Sequence, residues 1–184
     1  MNKVDWDVIR KKLPVKRTGV DVERRKKMFT EFDPNGNGYL SLAELDKGIR
    51  DVLQLDNVFR CKPAIMRAYQ AAKAKGPQRS KYSDDYVERN EFRIFLVYLR
   101  QYFEYWQMFE RIDTNHDRKV TLSEFKLALP KLEKWGVKIS DAEKTFKEID
   151  SNGGGVILFD EFSHWAIQKS LDLEDDDDFE DVEK

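Results

Sequence analysis

Asp33-Pro34-Asn35-Gly36-Asn37-Gly38-Tyr39-Leu40-Ser41-Leu42-Ala43-Glu44 is the stretch on which the reading of the chain turns. Side-chain oxygens stand at its places 1, 3, 5, 9 and 12, and a glycine stands at place 6. A hard cation such as calcium takes about six to eight oxygens, and a twelve-residue loop supplies them from places 1, 3, 5, 7, 9 and 12. Asp33, Asn35 and Asn37 offer side chains, Tyr39 its carbonyl, Ser41 a bridging water and Glu44 two oxygens. Gly38 permits the positive φ that place 6 needs. Only Asp33 and Glu44 are charged, so a moderate affinity is expected.

The pattern repeats. Met28, Phe29 and Phe32 precede this loop, and Leu45, Ile49, Val52 and Leu53 follow it, mostly at the three- and four-residue spacing of one helical stripe. Tyr105, Met108, Phe109 and Ile112 lead into a loop from Asp113 to Glu124, with Phe125, Ala128, Leu129 and Leu132 behind it. Phe146 and Ile149 lead into a loop from Asp150 to Glu161, with Phe162, Trp165 and Ala166 behind it. These are EF-hand units. In the loop at 113, Asp113, Asn115, Asp117, the Lys119 carbonyl and Glu124 are the candidate ligands, with Thr121 for a water. Arg118 stands where the turn wants glycine, at a cost on the order of 1–2 kcal/mol. In the loop at 150, Asp150, Asn152, the Val156 carbonyl and Glu161 remain. Gly155 suits the turn, but Gly154 has no side-chain oxygen and Leu158 cannot hold a water, so this is the weakest of the three.

A fourth copy is degenerate. Glu91, Phe92, Phe95, Leu96 and Leu99 make an intact exit helix, which puts the loop start at Ser80. Ser80 and Tyr82 supply no carboxylate, Asp85 takes the glycine place, and Gly76-Pro77 breaks the entering helix. Glu44 and Ser80 lie 36 residues apart against 26 for Glu124 and Asp150, so the first pair carries an insertion, expected as an extra or lengthened helix over Arg60 to Lys75. The 22 residues from Glu91 to Asp113 predict one long helix or two abutting ones.

The expected fold is all-α, with four EF-hand units in two compactly packed pairs. Short antiparallel ladders join their loops, Leu40 with Val87 and Val120 with Ile157. The expected divisions are a basic segment over 1–20, an EF-hand pair over 21–100, a second over 101–171 and an acidic, disordered tail over 172–184.

Charge is uneven along the chain. Residues 1–27 hold ten Lys or Arg against four Asp or Glu, a net of +6, and residues 172–184 hold nine acids against one Lys, a net of −8. Trp6, Ile9 and Leu13 form a stripe beside Arg10, Lys11, Lys12, Lys16 and Arg17. That stripe suits either an anionic membrane surface or packing against a lobe. The net charge of −2 argues against nucleic acid as a main partner. The single cysteine, Cys61, makes no intrachain disulfide, so a reducing, cytoplasmic setting is expected. His116 and His164 lack the partners of a nucleophilic site, and no glycine-rich phosphate loop occurs, so an enzyme is not expected.

Three stretches carry a resemblance. Trp6-Asp7-Val8-Ile9-Arg10 onward into Arg24-Arg25, Ala128-Leu129-Pro130-Lys131-Leu132-Glu133-Lys134-Trp135-Gly136-Val137, and Glu148-Ile149-Asp150 through Phe162-Ser163-His164-Trp165-Ala166 resemble the flagellar calcium-binding proteins (calflagins) of trypanosomatids. The resemblance covers nearly the whole chain. It implies a calcium-responsive protein of the flagellum, held on its membrane by an acylated N-terminus. Here the chain departs from the pattern: its second residue is Asn2, without the glycine that myristoylation needs.

The leading expectation is a calcium sensor binding two to three calcium ions, with magnesium as competitor. Its calcium-dependent apolar surface would meet a protein partner or an anionic membrane. The alternative is a buffer or scaffolding protein without a large switch, which the small number of Met, four, keeps open.

Overall fold

The structure is a computed structural model and describes residues 4–74 and 85–173. The start of the fourth loop (Ser80, Tyr82 and Asp84), the Gly76-Pro77 break and the acidic run from Glu174 lie outside the described residues. By contact the chain divides into two units, 1–103 and 104–184.

The first unit opens with α1 (Trp6–Lys12), started by Asp5, whose side chain accepts the Val8 N–H at 3.1 Å. Helix α2 (Gly19–Phe32) is capped by Thr18 and ends at Asp33. The loop at 33 then leads through β1 (Tyr39–Leu40) into α3 (Leu42–Asp51). Two helices follow, α4 (Asp56–Arg60) and α5 (Lys62–Ala74), which is how the inserted residues are used. Strand β2 (Val87–Glu88) pairs antiparallel with β1, Leu40 opposite Val87 and Tyr39 opposite Glu88. Leu40 and Val87 are fully buried, as two aliphatic residues facing a core should be. One continuous helix, α6 (Phe92–Ile112), runs through the division, so the choice between one helix and two resolves to one.

Ring edges hold the first core together. Phe29 and Phe32 each meet Phe92 at 5.3 Å between centroids, both edge-on, and Phe92 stacks on Phe95. Helix α1 belongs to this core. Trp6 lies 5.5 Å from the Phe103 ring, and Ile9 and Leu13 are buried. Of the two settings open to that stripe, the structure has the packed one.

Polar contacts fix the same segment. Lys12 Nζ donates to the carbonyls of Leu53 and Gln54 at 2.7 and 3.1 Å. Arg24 donates to the Lys11 carbonyl, Arg25 to those of Pro14 and Lys16, and Arg93 to that of Val15. Pro14, Val15 and Lys16 lie outside any helix, and Arg25 and Arg93 supply donors for their carbonyls.

The second unit takes the rest of α6, then α7 (Leu122–Lys134), α8 (Ala142–Ile149) and α9 (Phe159–Lys169). Val120 and Ile157 form an isolated antiparallel bridge, exchanging N–H···O bonds of 2.9 and 2.8 Å. Trp106, Phe109, Phe159 and Phe162 cluster with centroids 4.9–5.9 Å apart, and Phe125 joins Phe146 to Trp165. The chain leaves this core through buried Leu171, with the Leu173 N–H donating to Glu104 Oε1 at 2.6 Å.

Candidate metal centre

Each loop is drawn into shape by its own side chains. In the first, the two Asp33 carboxylate oxygens accept the N–H groups of Asn37 (3.1 Å) and Gly38 (2.9 Å). Asn35 Oδ1 also accepts the Asn37 N–H, and Asn37 Oδ1 accepts the Tyr39 N–H. These are Asx turns, in which a short side chain replaces the backbone partner of a tight turn. They fold the loop in around the Asp33 carboxylate and fix the peptide that leads into Tyr39.

The loop at 113 repeats the pattern. Asp113 accepts from Asp117 (3.3 Å) and Arg118 (2.8 Å), Asn115 from Asp117, and Asp117 from Lys119. In the loop at 150, Asp150 accepts from Gly154 (2.9 Å) and Gly155 (2.8 Å), and Asn152 from Gly154. The turn that should orient Val156 is missing there because Gly154 has no side chain to make it.

Two left-handed residues shape each of these loops, at places 4 and 6. They are Gly36 and Gly38, His116 and Arg118, and Gly153 and Gly155. The sequence pattern marks place 6 but not place 4. The glycines at 36 and 153 were the available signal, and His116, at φ 59°, masked it.

The glutamates at place 12 sit in the first turn of the exit helices α3, α7 and α9. Glu44 Oε2 accepts the Ser41 N–H at 2.9 Å while Ser41 Oγ accepts the Glu44 N–H, a reciprocal capping box. Its other oxygen accepts Asn35 Nδ2 at 2.7 Å, so places 3 and 12 touch across the loop. Glu161 Oε1 reaches back likewise to Asn152 Nδ2 at 2.8 Å, and its Oε2 accepts the Leu158 N–H.

Glu124 differs. It bonds Thr121 on one oxygen, and the Thr114 N–H and hydroxyl, both 3.0 Å, on the other. Burial pushes its carboxyl up, but the bonds from Thr121 and Thr114 outweigh that and hold it below the usual carboxylate range. Among the described residues no three acidic, His or Cys side chains gather into one cluster, so Asp113, Asp117 and Glu124 are not all drawn together. Three carboxylates repel one another unless a cation sits between them.

The remnant of the degenerate loop is different in kind. Glu91 is 1% exposed, accepts the Glu88 N–H at 2.8 Å, and burial pushes its carboxyl up. A charged carboxylate is costly at such a place unless it is paired.

The donor set of the three intact loops is all oxygen, and its turns are formed except the one before Val156. That fits a hard cation of calcium size, which would supply the positive charge needed to draw these carboxylates together. The fit is poorest at 150, where place 5 is glycine.

Comparison with known proteins agrees. A family model described as the FCaBP EF-hand domain matches residues 9–99, and one described as an EF-hand domain pair matches 105–167. The flagellar calcium-binding protein of Trypanosoma cruzi is 40% identical over 175 residues, 94% of this chain and 83% of that one. The flagellar calcium-binding protein TB-24 of Trypanosoma brucei brucei is 42% identical over 180 residues, 97% of this chain and 83% of that one.

The chain belongs to the flagellar calcium-binding protein family. It is an EF-hand calcium-binding protein, and calcium is its ligand. The match of residues 9–99 takes in Ile9 and Leu13 as well as the degenerate loop. Among the described residues no helix is long and apolar enough to cross a membrane.

Proposed function

We propose that the chain is a calcium sensor whose first unit converts ion binding at Asp33–Glu44 into a change in how the N-terminal segment is held. One continuous connection supports this reading. Glu44, the place-12 ligand, lies in the first turn of α3, and the chain just past the far end of α3 presents the Leu53 and Gln54 carbonyls to Lys12 of α1. An ion taking both Glu44 oxygens competes with Ser41 and Asn35 for them and pulls on α3. A change of α3 angle then strains the Lys12 contacts and the Trp6 packing behind them.

The ligands in this proposal are Asp33, Asn35, Asn37, Glu44 and the Tyr39 carbonyl; Asp113, Asn115, Asp117, Glu124 and the Lys119 carbonyl; and, more weakly, Asp150, Asn152, Glu161 and the Val156 carbonyl. That gives two strong ions and a weaker third. The loop ending at Glu91 completes the first ladder and takes none. The site of action is the flagellum, as the relatives' names suggest.

A calorimetric calcium titration of the intact chain, repeated in magnesium, counts the ions. Tryptophan emission and apolar-dye binding, recorded with and without calcium, test the switch. A spectrum and dye signal unmoved by saturating calcium would leave a buffer instead.

A further inference from the structure

The first unit carries a groove of about 710 Å³ beside the Asp33 loop. We propose that it is a docking site for an acidic peptide segment of a protein partner, one that inserts a single apolar side chain between two arms of positive charge.

The charge is explicit. Arg25, Lys26, Arg89 and Arg93 line the groove, and among its lining residues Glu88 alone is acidic. Arg25 donates to the Pro14 and Lys16 carbonyls, neutral partners that hold the side chain in place and keep its charge. Lys26 reaches Glu23 at 2.7 Å through an exposed ion pair, which exchanges readily for another carboxylate.

The floor is aromatic. Phe29 and Phe92 lie at the bottom, each 1% exposed, and the exposed Arg89 guanidinium covers the Phe29 ring at 4.4 Å from its centroid. A carboxylate on a ligand draws Arg89 aside and opens the ring for an apolar group, so the acidic and apolar parts of the peptide act together. An interface with cations at its rim and a recessed apolar pocket at its centre is how single-anchor peptide sites are built.

The recess also decides against other anionic surfaces. A bilayer face is planar and meets residues that project, whereas these rings are sunk below four long side chains. A nucleic acid stacks its bases on exposed ring faces, which this floor does not present.

The test uses the full chain and a fluorescent nine-residue peptide of four Glu, one Phe and four Glu, followed by anisotropy at low and moderate salt. Saturable binding is expected, weakening as salt rises. It should fall at least tenfold when the peptide's Phe becomes Ala, and at least tenfold in the chain carrying Arg89→Glu and Lys26→Glu. Lys27→Glu, an exposed charge reversal on the same helix outside the groove, is expected to bind within about twofold of the parent, and far-UV circular dichroism confirms that all variants fold. Equal binding of the Phe and Ala peptides overturns the proposal, as does unchanged binding by the double variant. Phosphatidylserine vesicles are run in parallel, and Arg89-dependent vesicle binding without peptide binding overturns it in favour of a lipid surface.

Discussion

Lys12 Nζ lies 2.7 Å from the carbonyl oxygen of Leu53, 41 residues along the chain, and this contact ties the first helix to the end of the first exit helix. The acceptor lies two residues past the end of α3, in non-helical backbone whose carbonyl has no helical partner. Gln54, whose carbonyl is the second acceptor, is left-handed at φ 51°, which turns the chain so that both carbonyls face the same ammonium. Lys12→Met keeps the aliphatic stem and removes the charge and both bonds. A hydrogen bond to a charged group contributes about 1.5–3 kcal/mol, so the variant should lose roughly that much stability in the first unit. Trp6, now 9% exposed, should become wetter. Thermal melts and a red shift in tryptophan emission check both, and an unshifted spectrum would show that Trp6 packs on Phe103 without help from Lys12.

The loop at Asp113 holds two side-chain-bearing residues in the left-handed region, His116 at φ 59° and Arg118 at φ 66°. Each costs on the order of 1–2 kcal/mol relative to glycine, offset by about 0.5–1 kcal/mol that glycine loses in unfolded-chain freedom. Arg118→Gly should therefore stabilise the second unit by about 0.5–1 kcal/mol and tighten calcium by a few-fold, because the turn is set before the ion arrives. His116→Gly should do the same. Melting and calorimetry on each variant measure it. A looser calcium site in Arg118→Gly would mean that the arginine side chain, not the backbone, supports the loop.

How much of this was legible follows from which signals are local. The twelve-residue loops, the ladder pairs Leu40–Val87 and Val120–Ile157, and the exit helices were readable because each rests on residue type at fixed spacing. The left-handed place 4 was not, since His116 is an ordinary residue in an unusual conformation. Docking of the Trp6 stripe was open in the sequence because the alternatives demand the same amphipathic face. Only tertiary placement, with Phe103 under Trp6 and the Leu53 carbonyl beside Lys12, distinguishes them. The turns of Thr114 and Ser151 onto the place-12 glutamates were also invisible, because place 2 has no required residue type.

Glu91 gives a pH prediction. Burial raises its carboxyl in the folded chain above the unfolded value. A raised carboxyl favours the protonated form, so its stabilising contribution is present below the unfolded pKa and is lost as pH rises through the folded one. Glu91→Gln removes that loss while keeping an oxygen to accept the Glu88 N–H. The variant should match the parent near pH 4 and melt higher at pH 7. A gain of about 1 kcal/mol corresponds to about 4–8 °C for a unit of this size. An equal or lower melting temperature at pH 7 would mean that the carboxylate is stabilised by its surroundings.

Gly48 lies in the middle of α3, where glycine normally costs about 0.5–1 kcal/mol against alanine. Propensity alone therefore says that Gly48→Ala should stabilise. Packing says the opposite. A Cβ built there would stand 2.3 Å from Cδ2 of Phe32, well inside contact distance. Phe32 has no room to retreat, being 1% exposed and set edge-on against Phe92 at 5.3 Å. Overpacking a filled core costs about 1–3 kcal/mol, more than the helix gain. Gly48→Ala should lower the stability of the first unit by about 1–2 kcal/mol. Because Phe32 ends α2 and Gly48 lies in α3, the added methyl also wedges apart the two helices that flank the Asp33 loop. Calcium affinity at that loop should change while the loop at Asp113 keeps its own. A melt and a calorimetric titration on one sample separate the effects, and a variant that melts above the parent would show that α2 and α3 cross more loosely than the Phe32–Gly48 contact implies.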